Sequence, residues 1–130
     1  MKKILLIGAS SDICKKIYKD FTAHYEFLLL SSDREESDYE NFDILNRQTF
    51  PEIPDIDGIV YFPGTINLKP FERFKEDDFS DDYNINVKGL INILQFYKSS
   101  LNIGSSVVCF RTVGAKLGMK SPKIFLPFLL

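Results

Sequence analysis

The sequence is short of the residues that most catalytic and metal-binding machinery is built from. Among 130 residues there is one histidine and two cysteines, and no unbroken apolar run exceeds four residues. Cys14 and Cys109 fall in a helix start and a strand without the spacing of metal ligands, so both read as reduced core thiols and no metal site is expected. His24 falls where the first helix should end, a position at which a cation meets the negative end of the helix dipole. Four-residue apolar runs are too short to span a bilayer, and the one following Lys2 and Lys3 is too short for a secretory signal, so a cytoplasmic protein without a membrane partner is expected. Positive charge is not gathered into a patch. Lys15 and Lys16 lie on the outer face of the expected first helix, and the formal charge is −2, which gives no reason to expect nucleic acid as a partner. No repeat, linker or low-complexity segment is present. With 45% hydrophobic residues, the chain reads as one globular domain able to bury about two-thirds of its unfolded surface.

What the sequence does have is a well-marked beginning. Ile4-Leu5-Leu6-Ile7 is an apolar run, Gly8-Ala9-Ser10-Ser11 breaks it, and Ile13, Ile17 and Phe21 then recur every four residues. This is a buried strand, a small-residue turn and an amphipathic helix. Such a unit in a parallel sheet leaves turn and helix-start amides pointing one way with the positive end of the helix dipole behind them, a geometry that suits a pyrophosphate. Gly8 would let a phosphate approach the backbone closely. A single glycine is also common in strand-to-helix turns that bind nothing.

The alternation continues along the chain. Glu26 to Leu30 reads as a second strand, followed by Ser31-Ser32-Asp33-Arg34. In a dinucleotide fold this is where the adenosine ribose is read: a carboxylate takes the ribose hydroxyls of NAD, and an arginine with hydroxyls takes the 2′-phosphate of NADP. Both types are present, so NAD and NADP stay undivided, and a plain polar loop with an Asp–Arg pair is an equal reading. Glu35 to Asn46 is acidic and polar, so the next helix should be short or missing; Phe42-Asp43-Ile44-Leu45 could be a short third strand, and Pro51 and Pro54 interrupt anything helical before Asp57. Gly58 to Phe62 reads as the fourth strand, closed by Pro63-Gly64. A long helix starting at Asp77 and Asp78 carries Phe79, Tyr83, Val87, Leu90, Ile91 and Leu94 on its apolar face and runs to about Tyr97. Gly104 to Phe110 is the fifth strand. Continuous β-α-β alternation argues for a parallel, doubly wound α/β sheet.

Taken in order, these segments resemble the N-terminal part of a short-chain dehydrogenase/reductase, most nearly the 3-oxoacyl carrier-protein reductases, up to about Met119. Gly8-Ala9-Ser10-Ser11-Asp12-Ile13-Cys14 lies on that family's Gly-x-x-x-Gly-x-Gly turn. Asp43-Ile44 lies where the family clamps adenine, Tyr61-Phe62-Pro63-Gly64 replaces its Asn-Asn-Ala-Gly, and Asn84-Ile85-Asn86-Val87-Lys88-Gly89 matches its fourth-helix Asn-x-x-Gly. The resemblance implies a Rossmann-like three-layer fold with a mostly five-stranded sheet, order 3-2-1-4-5, lacking the family's last two strands. It implies an NAD(P) cofactor held by Gly8, Ser10, Ser11, Asp12, Ile13, Ser32, Asp33, Arg34, Asp43, Ile44, Phe62, Pro63 and Gly64. It also implies reduction of a carbonyl, such as a 3-oxoacyl thioester.

The departures shape the expected activity. Asp12 replaces the middle glycine; beside a pyrophosphate it would cost about 3 kcal/mol per phosphate charge at about 6 Å and an effective dielectric near 20, unless its carboxylate turns to cap the helix. Cys14 replaces the third glycine. Of the family's catalytic groups, Asn86 matches the asparagine and Thr112 stands at the serine, with Arg111 before it. Phe125 stands where the tyrosine should be and Leu129 where the lysine should be. Loss of a positioned general acid typically removes a factor of about 10² to 10⁴, so the chain could equally be an inert dinucleotide-binding or oligomerising pseudoenzyme. The tail 121–130, with Pro122 and Pro127, does not resemble the family's following helix, and a reading frame cut or shifted near Lys120 is expected. An uncovered fifth-strand edge should then be met by the tail, or by a second copy of the chain through the helix from Asp78 to Tyr97.

Overall fold

The computed structural model describes residues 1–64 and 71–110. Strand β1 (Lys3–Ile7) leads through the small-residue turn into helix α1 (Asp12–Phe21) and strand β2 (Glu26–Leu30). Two short 3-10 turns, Arg34–Glu36 and Arg47–Thr49, precede strand β3 (Ile56–Tyr61). After a further 3-10 turn at Phe71–Arg73, helix α2 (Glu76–Tyr83) passes through a π-helical turn (Asn84–Lys88) into helix α3 (Gly89–Tyr97), and a last 3-10 turn at Lys98–Ser100 leads to strand β4 (Leu101–Cys109). All strand pairs are parallel, in the order β2-β1-β3-β4. This is the expected Rossmann-like α/β arrangement, with one strand fewer among the described residues.

The missing strand is Phe42–Leu45, which forms turns instead. Asp43 explains why: its carboxylate accepts from Leu45 N at 3.0 Å, while its backbone N–H donates to Thr49 Oγ1 at 2.9 Å and its carbonyl accepts from the same hydroxyl at 3.0 Å. A side chain that satisfies its own backbone in this way removes the need for a sheet partner. The abbreviated crossover between β2 and β3 is as expected, since only the two 3-10 turns occupy it.

Alternation along the strands divides the core in two. Leu5, Ile7, Leu30, Ile59 and Tyr61 pack on one face with Phe42, Phe50, Ile53, Ile56, Leu90, Ile93 and Tyr97. Leu6, Ala9 and Cys14 form a much smaller cluster on the other, supported by Ile4, Phe27, Leu29, Val60 and Phe62. The apolar stripe expected on α1 is therefore not its buried face: Cys14 is buried, whereas Ile13 and Phe21 are exposed. The α1 position packed against the sheet is the small thiol, which clusters with Leu6 and Ala9. Burial pushes the Cys14 thiol up to about 11, with the Glu36 carboxylate adding to the effect. Cys109, expected in the core, is exposed, and both thiols are free. His24 lies in the turn just beyond α1, its amide donating to Phe21 O at 2.9 Å.

The long helix also differs from its expected phase. Its buried positions include Asp82, Asn86, Leu90, Asn92, Ile93 and Tyr97, whereas Phe79, Tyr83 and Ile91 are exposed. The inward face is partly polar, which an apolar stripe search passes over, and the π turn shifts its phase midway. Tyr97 donates to Pro51 O at 2.9 Å and stacks on Phe50, fixing α3 to the β2–β3 crossover.

At the opposite edge, β4 follows β3 with a large bulge. Ile56 pairs with Leu101 and Gly58 with Ser106, so Asp57 alone faces the four residues 102–105. Gly104 takes φ +83 there, and Asn102 Nδ2 donates to Asp57 Oδ1 at 3.0 Å. Asp57 Oδ2 also accepts from Lys3 N at 2.9 Å, so one carboxylate holds the starts of β1 and β4 to β3.

Those bonds, the Asn102 amide foremost and then the Lys3 amide, hold the Asp57 carboxyl below its ordinary value. A carboxylate depressed in the folded state contributes stability above its unfolded pKa of about 3.9, and this is lost as pH falls through the folded value. Thermal melts between pH 2.5 and 6 should show Asp57→Asn less stable than the parent at pH 6, with the gap narrowing on acidification.

Candidate functional site

In this strand order, the chain leaves β1 toward β2 on one side and returns across β1 to β3 on the other. Crevices at the carboxyl ends of strands where connections diverge are where open α/β sheets bind ligands. A cavity of about 490 Å³ lies there, walled by Ile7, Gly8, Ser10 and Ser11 from the first turn and by Ser31 and Ser32 beyond β2. Phe42 to Leu45 line it from the crossover, Phe62, Pro63 and Gly64 from beyond β3, and Ile85 from the π turn. Its size lies within the range of small-ligand sites.

The first turn shapes the mouth. Gly8 has φ +85, and a Cβ there would come within 2.9 Å of Pro63 Cδ. The glycine is thus needed twice, for a left-handed backbone and for close approach of the loop after β3. The amides of Gly8 and Ala9 both reach Leu30 O, at 2.8 and 3.4 Å, and Ser11 N reaches Gly8 O at 3.1 Å, so these three are turned to protein. The first intrahelical bond runs from Lys15 N to Ser11 O. Asp12, Ile13 and Cys14 therefore begin α1 without intrahelical acceptors, and their N–H groups are the ones left for an anion. Ser11 stands at the helix cap without a side-chain capping bond, which leaves its hydroxyl available at the wall.

Of the residues expected to hold a cofactor, Gly8, Ser10, Ser11, Ser32, Asp43, Ile44, Phe62, Pro63 and Gly64 are brought together around this cavity. Asp12, Ile13, Asp33 and Arg34 are not among its walls. Asp12 is exposed in the first turn of α1. Asp33 caps the next 3-10 turn by accepting from Glu35 N at 3.1 Å, and Arg34 donates to Asn41 Oδ1 at 3.1 Å. Lys15 reaches the same 3-10 turn through Glu36 at 3.3 Å. Asn86 is buried beside the site: a Cβ on Gly64 would lie 3.2 Å from Asn86 Oδ1. Thr112, Phe125 and Leu129 lie outside the described residues, as does the tail 121–130. No group of three or more metal-ligating side chains occurs among the described residues, and none of their helices is long and apolar enough to cross a membrane.

Ile7, Ser31, Phe42, Leu45 and Ile85 also wall the cavity, outside the expected cofactor residues, although Ser31 belongs to the segment expected to read the ribose. The place of Ile85 depends on the helix phase, which only the π turn sets. The crossover loop is held in place by buried Asn92, which donates to Ile44 O at 3.1 Å and accepts from Arg47 Nε at 3.1 Å.

No protein-family model matches the sequence, and no curated protein matches it. Solved structures do. A short-chain dehydrogenase/reductase from Brucella melitensis is 21% identical with a TM-score of 0.76, over 91% of this chain and 60% of that one. A short-chain dehydrogenase from Leptospira borgpetersenii with bound NAD+ is 19% identical with a TM-score of 0.69, over 86% of this chain and 52% of that one. The protein lin1944 from Listeria innocua is 22% identical with a TM-score of 0.71, over 82% and 54%. The chain thus has the fold of these proteins and spans between half and two-thirds of their length.

Replacing Gly8 tests the mouth. Gly8→Ala should lower stability by about 1–3 kcal/mol, the usual cost of a left-handed non-glycine residue. Gly64→Ala, without a left-handed φ, should cost less, and urea denaturation of the two variants checks the order.

Proposed function

We propose that this chain is the dinucleotide-binding part of a short-chain dehydrogenase/reductase, taking NAD(P) in the cavity between the ends of β1 and β3. The observation that carries this reading is the cavity itself. It is walled by a left-handed glycine and by serine hydroxyls at the divergence of the strand connections, next in the chain to the start of α1. The group fits the residues present: the Ser10 and Ser11 hydroxyls at the wall and the amides of Asp12 to Cys14 at the start of α1 suit its pyrophosphate. Ser31 and Ser32 face the adenosine end, and the apolar walls Ile44 and Ile85 suit an adenine ring. NAD and NADP are not separated by these contacts, since Asp33 and Arg34 are engaged elsewhere.

The chemistry such a cofactor supplies is hydride transfer to a carbonyl carbon, while a proton goes to the carbonyl oxygen. On this reading the substrate is a ketone such as a 3-oxoacyl thioester, Asn86 holds the proton-relay side of the site, and Thr112 offers a hydroxyl to orient the carbonyl. Phe125 and Leu129 have no proton to give and no charge to lower a donor's pKa. The chain by itself therefore binds but does not turn over. An oligomerising role is a second reading, favoured by the exposed apolar residues of β4, namely Ile103, Val107 and Val108, and by Phe79, Tyr83 and Ile91 on the helix.

Calorimetric titration with NADH and NADPH should show saturable binding of at least one of them, with an absorbance assay on acetoacetyl thioester showing no turnover. Binding of neither removes the dinucleotide reading, and measurable turnover removes the inert one. Static light scattering should show a species larger than one chain; a strict monomer removes the oligomerising role.

A further inference from the structure

Tyr61 ends β3 fully buried, and its hydroxyl donates to the carbonyl of Ile85 at 2.5 Å. In an α-helix that carbonyl would accept from the amide of Gly89. Here the Gly89 amide bonds to Asn84 O, one residue further back, so the π turn frees the Ile85 carbonyl for an outside donor. Gly89 completes the arrangement: a Cβ there would lie 2.6 Å from the Tyr61 hydroxyl and 3.1 Å from Ile44 Cδ1. The phenol occupies the space that the missing side chain leaves.

We infer that Tyr61 is a positioning residue which, through the Ile85 carbonyl and the gap at Gly89, holds the π turn and so sets where Ile85 and Asn86 stand against the cavity. The alternative backbone is a regular α-helix in which Gly89 bonds Ile85. Removing the extra residue from that turn rotates the helix on one side relative to the other by about 100°. Asn86 would then leave Gly64, and Ile85 would leave the cavity wall. Burial pushes the Tyr61 phenol above its ordinary value, so it stays a donor over the working pH range. The effect on cofactor rests on the dinucleotide reading above, whereas the effect on Asn86 does not.

The test is Tyr61→Phe in the full chain. In amide NMR spectra without cofactor, the side-chain amide of Asn86 and the backbone amides of residues 85–89 should move, while those of Glu26 to Leu28 on β2 stay. NADH binding should weaken about tenfold, the order expected for one well-placed buried hydrogen bond. Gly89→Ala should shift the same resonances by displacing the phenol, and the double variant should show less than the sum of the two. It also serves if Tyr61→Phe does not fold. Unmoved Asn86 resonances in both single variants would overturn the inference whatever NADH does. Absence of NADH binding in the parent would overturn the dinucleotide reading alone, since the resonances still report the turn.

Discussion

Strand β1 is hydrogen-bonded on both sides and packed on both faces, and the rest of the molecule is arranged around meeting those four demands at once. Parallel partners β2 and β3 fill its edges in register. Leu5 and Ile7 turn toward the α3 face and Leu6 toward α1, all fully buried. Two parallel partners require crossover connections that leave on opposite sides. The cavity is the space between those departures, so site and core come from one constraint.

That constraint explains which features were legible in the sequence. A strand buried on both faces reads as a continuous apolar run, and Ile4 to Ile7, Glu26 to Leu30 and Gly58 to Phe62 all read that way. The Gly8 turn follows, because a left-handed residue at that point leaves glycine almost no competitor. The same logic gathered nine of the expected cofactor residues around one cavity. What was not legible depends on contacts made far along the chain. Phe42–Leu45 has strand-like composition, but Asp43 and Thr49 close a turn on each other. The buried stripe of the helix lies one step from its apolar stripe, because Asp82, Asn86 and Asn92 carry polar groups inward and the π turn changes the phase at Asn84. No periodicity search anticipates a turn selected by a tyrosine from another strand.

The two faces of the sheet are unequal. Phe50 stacks with Phe42 and Tyr97 and meets Phe96 edge-on, a thick aromatic layer between the crossover and α3. The α1 face has a small cluster at its centre and then thins out: Phe62 and Phe110 stack on each other at 5.0 Å, with Phe110 and Val108 partly open to solvent. The candidate site sits where these regions meet. Its α3 side is braced by Asn92 and the aromatic layer, while its α1 side rests on Cys14 and Ala9.

The bulge in β4 bears on how the molecule behaves in crowded solution. A long straight edge of unpaired amides is a template onto which other chains add strand by strand. Here the four residues 102–105 opposite Asp57 break that lane, Gly104 turns the backbone out of plane, and Asn102 is drawn inward to the carboxylate. Among the described residues β4 borders the sheet, and a chain laid alongside it could keep an unbroken ladder only over Ser106 to Cys109. The irregularity that fastens the sheet at its base therefore also shortens the surface on which fibrillar stacking could begin.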